Sequence, residues 1–162
     1  PCPCGYYNHP TQECTCQPGA VEKYLNRISG PLLDRIDLHI EVVPVPFEEL
    51  SKKSAGEKSS AVRARVTRAR QIQTERFADI PGMHSNSQMN SKMIQKYCTL
   101  NDECSNLLKD AMDKLDLSAR AHDRILKMAR TIADLDNSLD IKKEHLAEAI
   151  QYRSLDRANW GK

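Results

Sequence analysis

The sequence predicts a mainly α-helical protein, in which a small helical bundle follows one strand left over from the edge of an α/β domain. Apolar residues recur at helical spacing over most of residues 90–153. Only residues 36–43 alternate apolar and polar side chains as a half-buried strand does. Hydrophobic residues make up 40% of the 162 residues and charged residues 28%, which excludes both a disordered chain and a membrane-embedded one.

The sequence of the N-terminal part predicts a loop, then two short helices and then the strand. Four prolines and two glycines interrupt any regular element in the first nineteen residues. Residues 20–28 predict a short helix, and Ser29 as cap with Pro31 in the first turn predicts a second one. The strand at 36–43 follows. Because a single strand cannot satisfy its own backbone, its sheet partners are expected outside this chain.

The remaining elements follow from composition and periodicity. Residues 51–59 have the composition of a linker, and the helical patterns after it cover 60–77, 90–98, 101–115, 118–135 and 140–153, with a loop at 78–89. Ser118 is expected to cap its helix, and the last helix is expected to open at Asp140. The predicted division is a core edge at 1–50, a linker and basic helix at 51–89, a helical domain at 90–153 and a polar tail at 154–162.

Four of the six cysteines form two pairs near the N-terminus, Cys2-x-Cys4 and Cys14-x-Cys16. No secretory signal is visible, so metal ligands or free thiols are expected rather than disulfides. Four thiolates on a short loop can hold Zn²⁺ tetrahedrally, and His9 could replace one of them. A structural zinc site and four free thiols both remain open.

The charge is unevenly distributed, although the whole chain carries only +2. Residues 61–100 hold seven basic and two acidic residues, and this is the only segment suited to a polyanion. Its arginines spread around the predicted helix instead of forming one stripe. Phosphate contact and a solvated or subunit-contacting helix are therefore both open for this set: Arg63, Arg65, Arg68, Arg70 and Arg76.

Two other arginines lie where an anion could bind. Arg35 lies between a short turn and the predicted strand, where it can face an anion or pair with Asp34 or Asp37. Arg120 follows Ser118 by two residues, at a helix N-terminus whose free amides favour an anion. Taken alone, Arg35 is better explained by the ion pair, and Arg120 is weak evidence because an ordinary surface arginine explains it as well.

Several stretches together resemble one bacterial family. They are PCPCGYY from Pro1, CTC from Cys14, YLNRISGPLLDRIDLHI from Tyr24, RARQ from Arg68 and SARAHDRILKMARTIADL from Ser118. These stretches closely resemble the ComM/YifB family, often described as magnesium chelatase-related AAA+ ATPases. The resemblance covers nearly the whole chain and aligns it with the last third of such a protein.

The resemblance implies the C-terminal helical lid of an AAA+ ATPase, preceded by a remnant of the α/β core. It implies that Arg35 is an arginine finger, which reaches the ATP of a neighbouring subunit, and that Arg120 is the sensor 2 residue, which contacts the γ-phosphate from the lid. ATP with Mg²⁺ is the implied cofactor. The Walker motifs would lie upstream of Pro1, so the 162 residues alone are expected to be inactive.

The implied partners are the AAA+ core and the neighbouring subunits of a homo-oligomeric ring, expected to be a hexamer. The implied output is branch migration of DNA during natural transformation, in the cytoplasm and without a membrane partner. Two alternatives remain open. One is the ATPase subunit of a metal chelatase. The other is a zinc-thiolate module that binds nucleic acid through the arginines of the basic helix.

Overall fold

The computed structural model of the chain describes residues 2–40, 42, 45, 47 and 56–153. Among these residues, two short helices, α1 (Ala20–Leu25) and α2 (Gly30–Leu33), precede five further helices and a 3₁₀ turn. These are α3 (Ser59–Arg76), the 3₁₀ turn (Asn86–Gln88), α4 (Ser91–Tyr97), α5 (Asp102–Lys114), α6 (Ala119–Leu135) and α7 (Lys143–Gln151). The mainly helical prediction is confirmed. No helix within the described ranges is long and apolar enough to cross a membrane.

Helix α6 is the centre of the bundle. It packs against α3, α4, α7 and the 3₁₀ turn, while α5 packs on α7. Its buried face carries Ala121, Ile125, Ala129 and Ala133, all completely inaccessible. The small alanine side chains let neighbouring helices approach closely. The rest of the core packs around this face and includes Phe77, Met83, Met89, Ile94, Leu108, Ile141 and Leu146.

Side-chain caps define the starts of three bundle helices. Asn90, Asn101 and Ser118 each accept a hydrogen bond from the backbone N–H three residues further on, at 3.1, 2.8 and 3.2 Å. Each cap satisfies one amide that has no partner inside its helix. The predicted role of Ser118 is confirmed.

The predicted start of the last helix at Asp140 is wrong, because α7 begins at Lys143. The hydroxyl of Ser138 donates to the carbonyl oxygen of Asp140 at 2.8 Å. This bond holds Asp140 in the turn between α6 and α7. The helix starts after Lys142, whose backbone N–H donates to Nδ1 of His145 at 3.1 Å.

The predicted strand at residues 36–43 is not formed in the part of it that the structure describes. The segment contacts the end of α7 instead. The backbone N–H of His39 donates to the carbonyl oxygen of Tyr152 at 2.9 Å, and the guanidinium of Arg153 donates to the carbonyl oxygen of Ile36. A strand needs a neighbouring strand, so without a sheet partner the segment bonds to the polar groups that lie nearest.

Some predictions fall outside the described residues. They are those at Glu41 and Val43 in the strand, at residues 51–55 of the linker, and at 154–162 in the tail.

A buried polar network joins α3, the 3₁₀ turn and α6. Asp134, which is 1% exposed, accepts hydrogen bonds from both terminal nitrogens of Arg76 at 2.5 and 2.7 Å. It also accepts from Nε of Arg130 at 3.1 Å and from Nδ2 of Asn86 at 2.8 Å. The other two nitrogens of Arg130 donate to carbonyl oxygens of the α6–α7 loop at 2.6 and 2.7 Å. The buried carboxylate therefore has partners on both oxygens, which offsets its loss of hydration.

Replacing Asp134 by alanine is expected to lower the free energy of unfolding by about 3–5 kcal/mol, because Arg76 and Arg130 then lose their common counter-charge. Urea denaturation followed by circular dichroism measures the change. Asp79→Ala, at an exposed position in the loop after α3, is the matched control and should cost less than about 0.5 kcal/mol. Equal effects of the two variants would contradict a stabilising role for the network.

Candidate functional site

The four N-terminal cysteines converge on one point. Their Sγ atoms all lie within 4.8 Å of one another. The Sγ–Sγ distances are 3.3 Å for Cys2–Cys4, 3.8 Å for Cys2–Cys14 and 3.5 Å for Cys4–Cys14, and Cys16 completes the set. A tetrahedral zinc ion with Zn–S bonds of about 2.3 Å places its sulfurs about 3.8 Å apart, whereas a disulfide requires about 2.05 Å. The spacing fits metal ligands, and none of the four cysteines forms a disulfide in the structure.

The backbone of the loop supports these sulfurs. The N–H of Gly5 donates to the carbonyl oxygen of Cys2 at 3.1 Å, in a tight turn where Gly5 has a φ of 85°. The N–H of Tyr7 donates to Sγ of Cys2 at 3.3 Å. A backbone hydrogen bond from Tyr6 is the main reason that the pKa of the Cys4 thiol falls to about 5. This donor favours the thiolate of Cys4, which is the form that binds a metal, whereas burial and hydrogen bonds with the neighbouring thiols raise the pKa of Cys16 to about 12.

His9, predicted as a substitute ligand, is not part of the thiol cluster. Its Nδ1 accepts hydrogen bonds from the backbone N–H groups of Thr11 at 3.2 Å and Gln12 at 3.1 Å. Its ring packs edge-on against Tyr6. His9 therefore stabilises the turn that joins the two cysteine pairs.

A cleft of about 370 Å³ opens beside the N-terminal half of α6. Arg120, Arg124 and Lys127 line it together, because residues three and four apart share one face of a helix. The carboxylates of Asp37 and Asp123 line it as well. The exposed Arg120 lies in the first turn, where amides without intrahelical partners carry partial positive charge. This end of the cleft is suited to an anion.

Two of the three cations in the cleft already have partners. Arg124 forms an ion pair with Asp37, in the segment after α2. Nζ of Lys127 donates to the carbonyl oxygen of Ser87 at 3.0 Å. Within the described part of the chain, Arg120 is the cation of this cleft that has neither an ion pair nor a side-chain hydrogen bond.

Arg35 lies on a different surface. It is exposed at the end of α2, and its Nη1 donates to the carbonyl oxygen of Pro31 at 3.0 Å. One alternative partner, Asp37, pairs with Arg124 instead. Arg35 does not line the cleft that contains Arg120. The two arginines are therefore not brought together within one subunit.

The arginines of α3 separate into two groups. Arg76 belongs to the buried network, so it does not face a nucleic-acid phosphate. Arg65 forms a two-bond ion pair with Glu57 at 2.8 and 3.1 Å. The other three, Arg63, Arg68 and Arg70, are exposed and have no ion pair among the residues that the structure describes.

The buried network was not predicted from the sequence, although a signal for it exists. Arg130 and Asp134 lie four residues apart and directly follow the buried Ala129 and Ala133. Opposite charges at this spacing beside the apolar face of a helix indicate a buried ion pair.

Comparison with known proteins identifies the family. Residues 56–153 match the family described as "Magnesium chelatase, subunit ChlI C-terminal", and residues 1–50 match "Magnesium chelatase, subunit ChlI". The chain is 44% identical to the competence protein ComM of Haemophilus influenzae over 158 residues. It is 42% and 40% identical to the uncharacterized proteins YifB of Escherichia coli and Salmonella typhimurium. Each alignment covers 97% of this chain and 30% of the relative.

The predicted resemblance is confirmed, since one family description alone covers more than half of the chain. The chain spans about 30% of the length of these relatives. It belongs to the magnesium chelatase-related family that includes ComM and YifB.

Proposed function

We propose that this chain is the C-terminal part of a ring-forming AAA+ ATPase of the magnesium chelatase-related type. Arg120 carries the proposal, because it is exposed in the first turn of the central helix, in a cleft that two more cations line. A cation at this place suits the γ-phosphate of a nucleotide bound by an adjoining ATPase core. Family membership supports the same reading.

The proposed domain division assigns residues 1–50 to the edge of the core and 51–89 to a linker with the basic helix. Residues 90–153 form the lid and 154–162 a tail. Within this division α6 is the helix through which the lid senses ATP. The proposed site of action is the cytoplasm.

In this proposal the two arginines act on different ATP molecules. Arg120 contacts the γ-phosphate of the nucleotide in its own subunit and couples hydrolysis to lid movement. Arg35 crosses the subunit interface, and its guanidinium stabilises charge that develops in the transition state of the neighbouring site. Separate surfaces for the two residues are compatible with this division of roles. The residues that hold Mg²⁺ and the triphosphate would belong to the core.

We further propose that the cysteine cluster holds a structural zinc ion. Four thiolate ligands complete a tetrahedron and leave no position for a reactive water, so the site has no catalytic role. Within the described part of residues 1–19, Cys2 is the one buried residue. A loop with so little core needs another source of stability, which a bound metal supplies.

The proposed output of the full-length protein is remodelling of DNA, specifically branch migration in natural transformation by a hexameric ring. The support is the name of one relative, a competence protein. The competing proposal is the ATPase subunit of a metal chelatase, which the family description favours. Stimulation of ATP hydrolysis by branched DNA separates the two, because a chelatase subunit has no reason to respond to DNA.

In the full-length protein, Arg35→Ala is expected to slow ATP hydrolysis by about 10³-fold or more while nucleotide binding stays nearly intact. The reason is that a finger acts mainly on the transition state. Arg120→Ala should weaken both binding and hydrolysis. Steady-state turnover and fluorescent-nucleotide titration measure the two effects.

Mixing two inactive variants tests whether Arg35 acts across the subunit interface. Arg35→Ala subunits are combined with subunits that lack the phosphate-loop lysine, so that each supplies what the other lacks. Mixed rings should regain activity where an intact finger faces an intact nucleotide site. If mixed rings demonstrably form but stay inactive, the assignment of Arg35 fails.

Freshly reduced protein is expected to contain one zinc ion per chain, measured by elemental analysis. Cys14→Ser should lose the metal, whereas Cys98→Ala, which changes a buried cysteine outside the cluster, should retain it. Because protons compete with zinc for the thiolates, the metal should be released as the pH falls. Protein without stoichiometric zinc, or a Cys14→Ser variant that keeps it, would contradict the site.

A further inference from the structure

The first ten residues of α3, residues 59–68, form an exposed helical arm. Every one of them is exposed, whereas Ala69 and Gln73 further along are buried at 4% exposure each. At 1.5 Å per residue the arm is about 15 Å long. Helix α3 therefore packs on α6 through its C-terminal half and extends beyond the bundle at its N-terminal end.

One face of α3 carries Val62, Val66 and Ala69, followed by the polar Gln73, and is covered only at its C-terminal end. Val62, Val66, Ala69 and Gln73 follow the i, i+4, i+7, i+11 spacing that places residues on one helix face. Val62 is 36% exposed and Val66 47% exposed, in line with the two buried positions. The uncovered valines continue a packing surface, so we expect another protein surface to cover them.

The charge of the arm defines the partner that it fits. No acidic residue occurs between positions 58 and 74. Arg63, Arg68 and Arg70 are exposed and have no ion pair in the described part of the chain. At 100° per residue Arg63 and Arg70 share one side of the helix and Arg68 lies about 140° from Arg63, so a nucleic-acid backbone that follows one side would leave Arg68 without a contact. The combination of valines and surrounding arginines fits an acidic protein surface better than a duplex.

The same chain carries a surface of opposite charge on α5. Asp102, Asp110 and Asp113 lie within about 80° of one another around this helix at 100° per residue, and the exposed Lys109 lies beside them, so three negative charges face one positive charge on this side. All three aspartates are exposed and have no ion pair with any residue that the structure describes. Glu103 on the same helix is already paired, with Lys143 at 2.7 Å. We call Asp102, Asp110 and Asp113 the acidic face.

We propose that the arm docks on the acidic face of a second copy of this chain. Arm and acidic face are different surfaces of one molecule, since α3 packs on α6 and α5 packs on α7. Such a contact is heterologous, because it joins two different surfaces. It repeats from copy to copy and closes into a ring when the rotation between neighbouring copies divides a full turn evenly. The inference rests on the proposed ring assembly and names a contact that holds it together.

Charge reversal tests the contact, with assembly of the protein at low salt measured by sedimentation velocity. An arm variant carries Arg63→Glu, Arg68→Glu and Arg70→Glu, and a face variant carries Asp102→Lys, Asp110→Lys and Asp113→Lys. Each alone should weaken self-association by about 100-fold or more, because like charges then meet. Lys23→Glu with Lys92→Glu, two exposed positions outside both surfaces, is the control and should leave association unchanged.

Mixing the two variants gives the decisive result. In the mixture each reversed surface meets a complementary one, so association should return, and raised salt should weaken it again. Val66→Asp should also weaken it, because the apolar stripe is interrupted.

Three outcomes would each contradict the proposed contact: a wild-type protein that does not associate, charge-reversal variants that associate normally, or a mixture of the two variants that stays dissociated. Loss of DNA binding confined to the arm variant would assign the arm to nucleic acid instead. This experiment measures mass and the Arg35 mixing experiment measures ATP turnover, so the contact and the proposed ATPase function can fail separately.

Discussion

The buried carboxylate of Asp134 is the interaction on which the arrangement of the helices depends. It binds Arg76 from α3, Asn86 from the 3₁₀ turn and Arg130 from its own helix. An apolar contact tolerates sliding, but a carboxylate with four directed hydrogen bonds accepts one geometry. The network therefore fixes the direction in which α3 leaves the bundle and, through Arg130, the turn that leads to α7.

The two ends of α6 have different tasks. The alanine-rich core face runs along the helix from Ala121 to Ala133, and the network adds a further anchor at the C-terminal half. The N-terminal half presents Arg120 to a cleft, with Arg124 and Lys127 held by neighbouring elements. A rigid helix anchored at one end transmits a small displacement at the other, which is what a sensor of the γ-phosphate requires. The proposed sensing of the γ-phosphate thus depends on the rigidity of α6 as much as on the guanidinium of Arg120.

Local signals in the sequence predict the positions of the helices well, but long-range pairings poorly. Of the predicted caps, Ser118 makes its hydrogen bond, whereas the Ser29 side chain makes none and the last helix begins at Lys143. The period of α5 and α6 and the cap at Ser118 depend on neighbouring residues, so they can be derived from the sequence. The clustering of the cysteine pairs allows their convergence on one metal ion but is equally consistent with four free thiols. The ion pair of Arg76 with Asp134 joins positions 58 residues apart. The prediction of a strand at residues 36–43 is wrong for the described residues, because alternation is a local signal, whereas a sheet needs partner strands that a single segment does not contain.

Hydrogen exchange in the assembled full-length protein tests the central claim, that the Arg120 end of α6 responds to ATP. Exchange is compared with a non-hydrolysable ATP analogue and with ADP. We predict that the amides of residues 119–123 exchange more slowly with the analogue than with ADP, and that this difference disappears in Arg120→Ala. Amides near Asp134 should exchange at the same rate in both nucleotides, because the network keeps them closed. Identical exchange at 119–123 in both nucleotides would contradict the account.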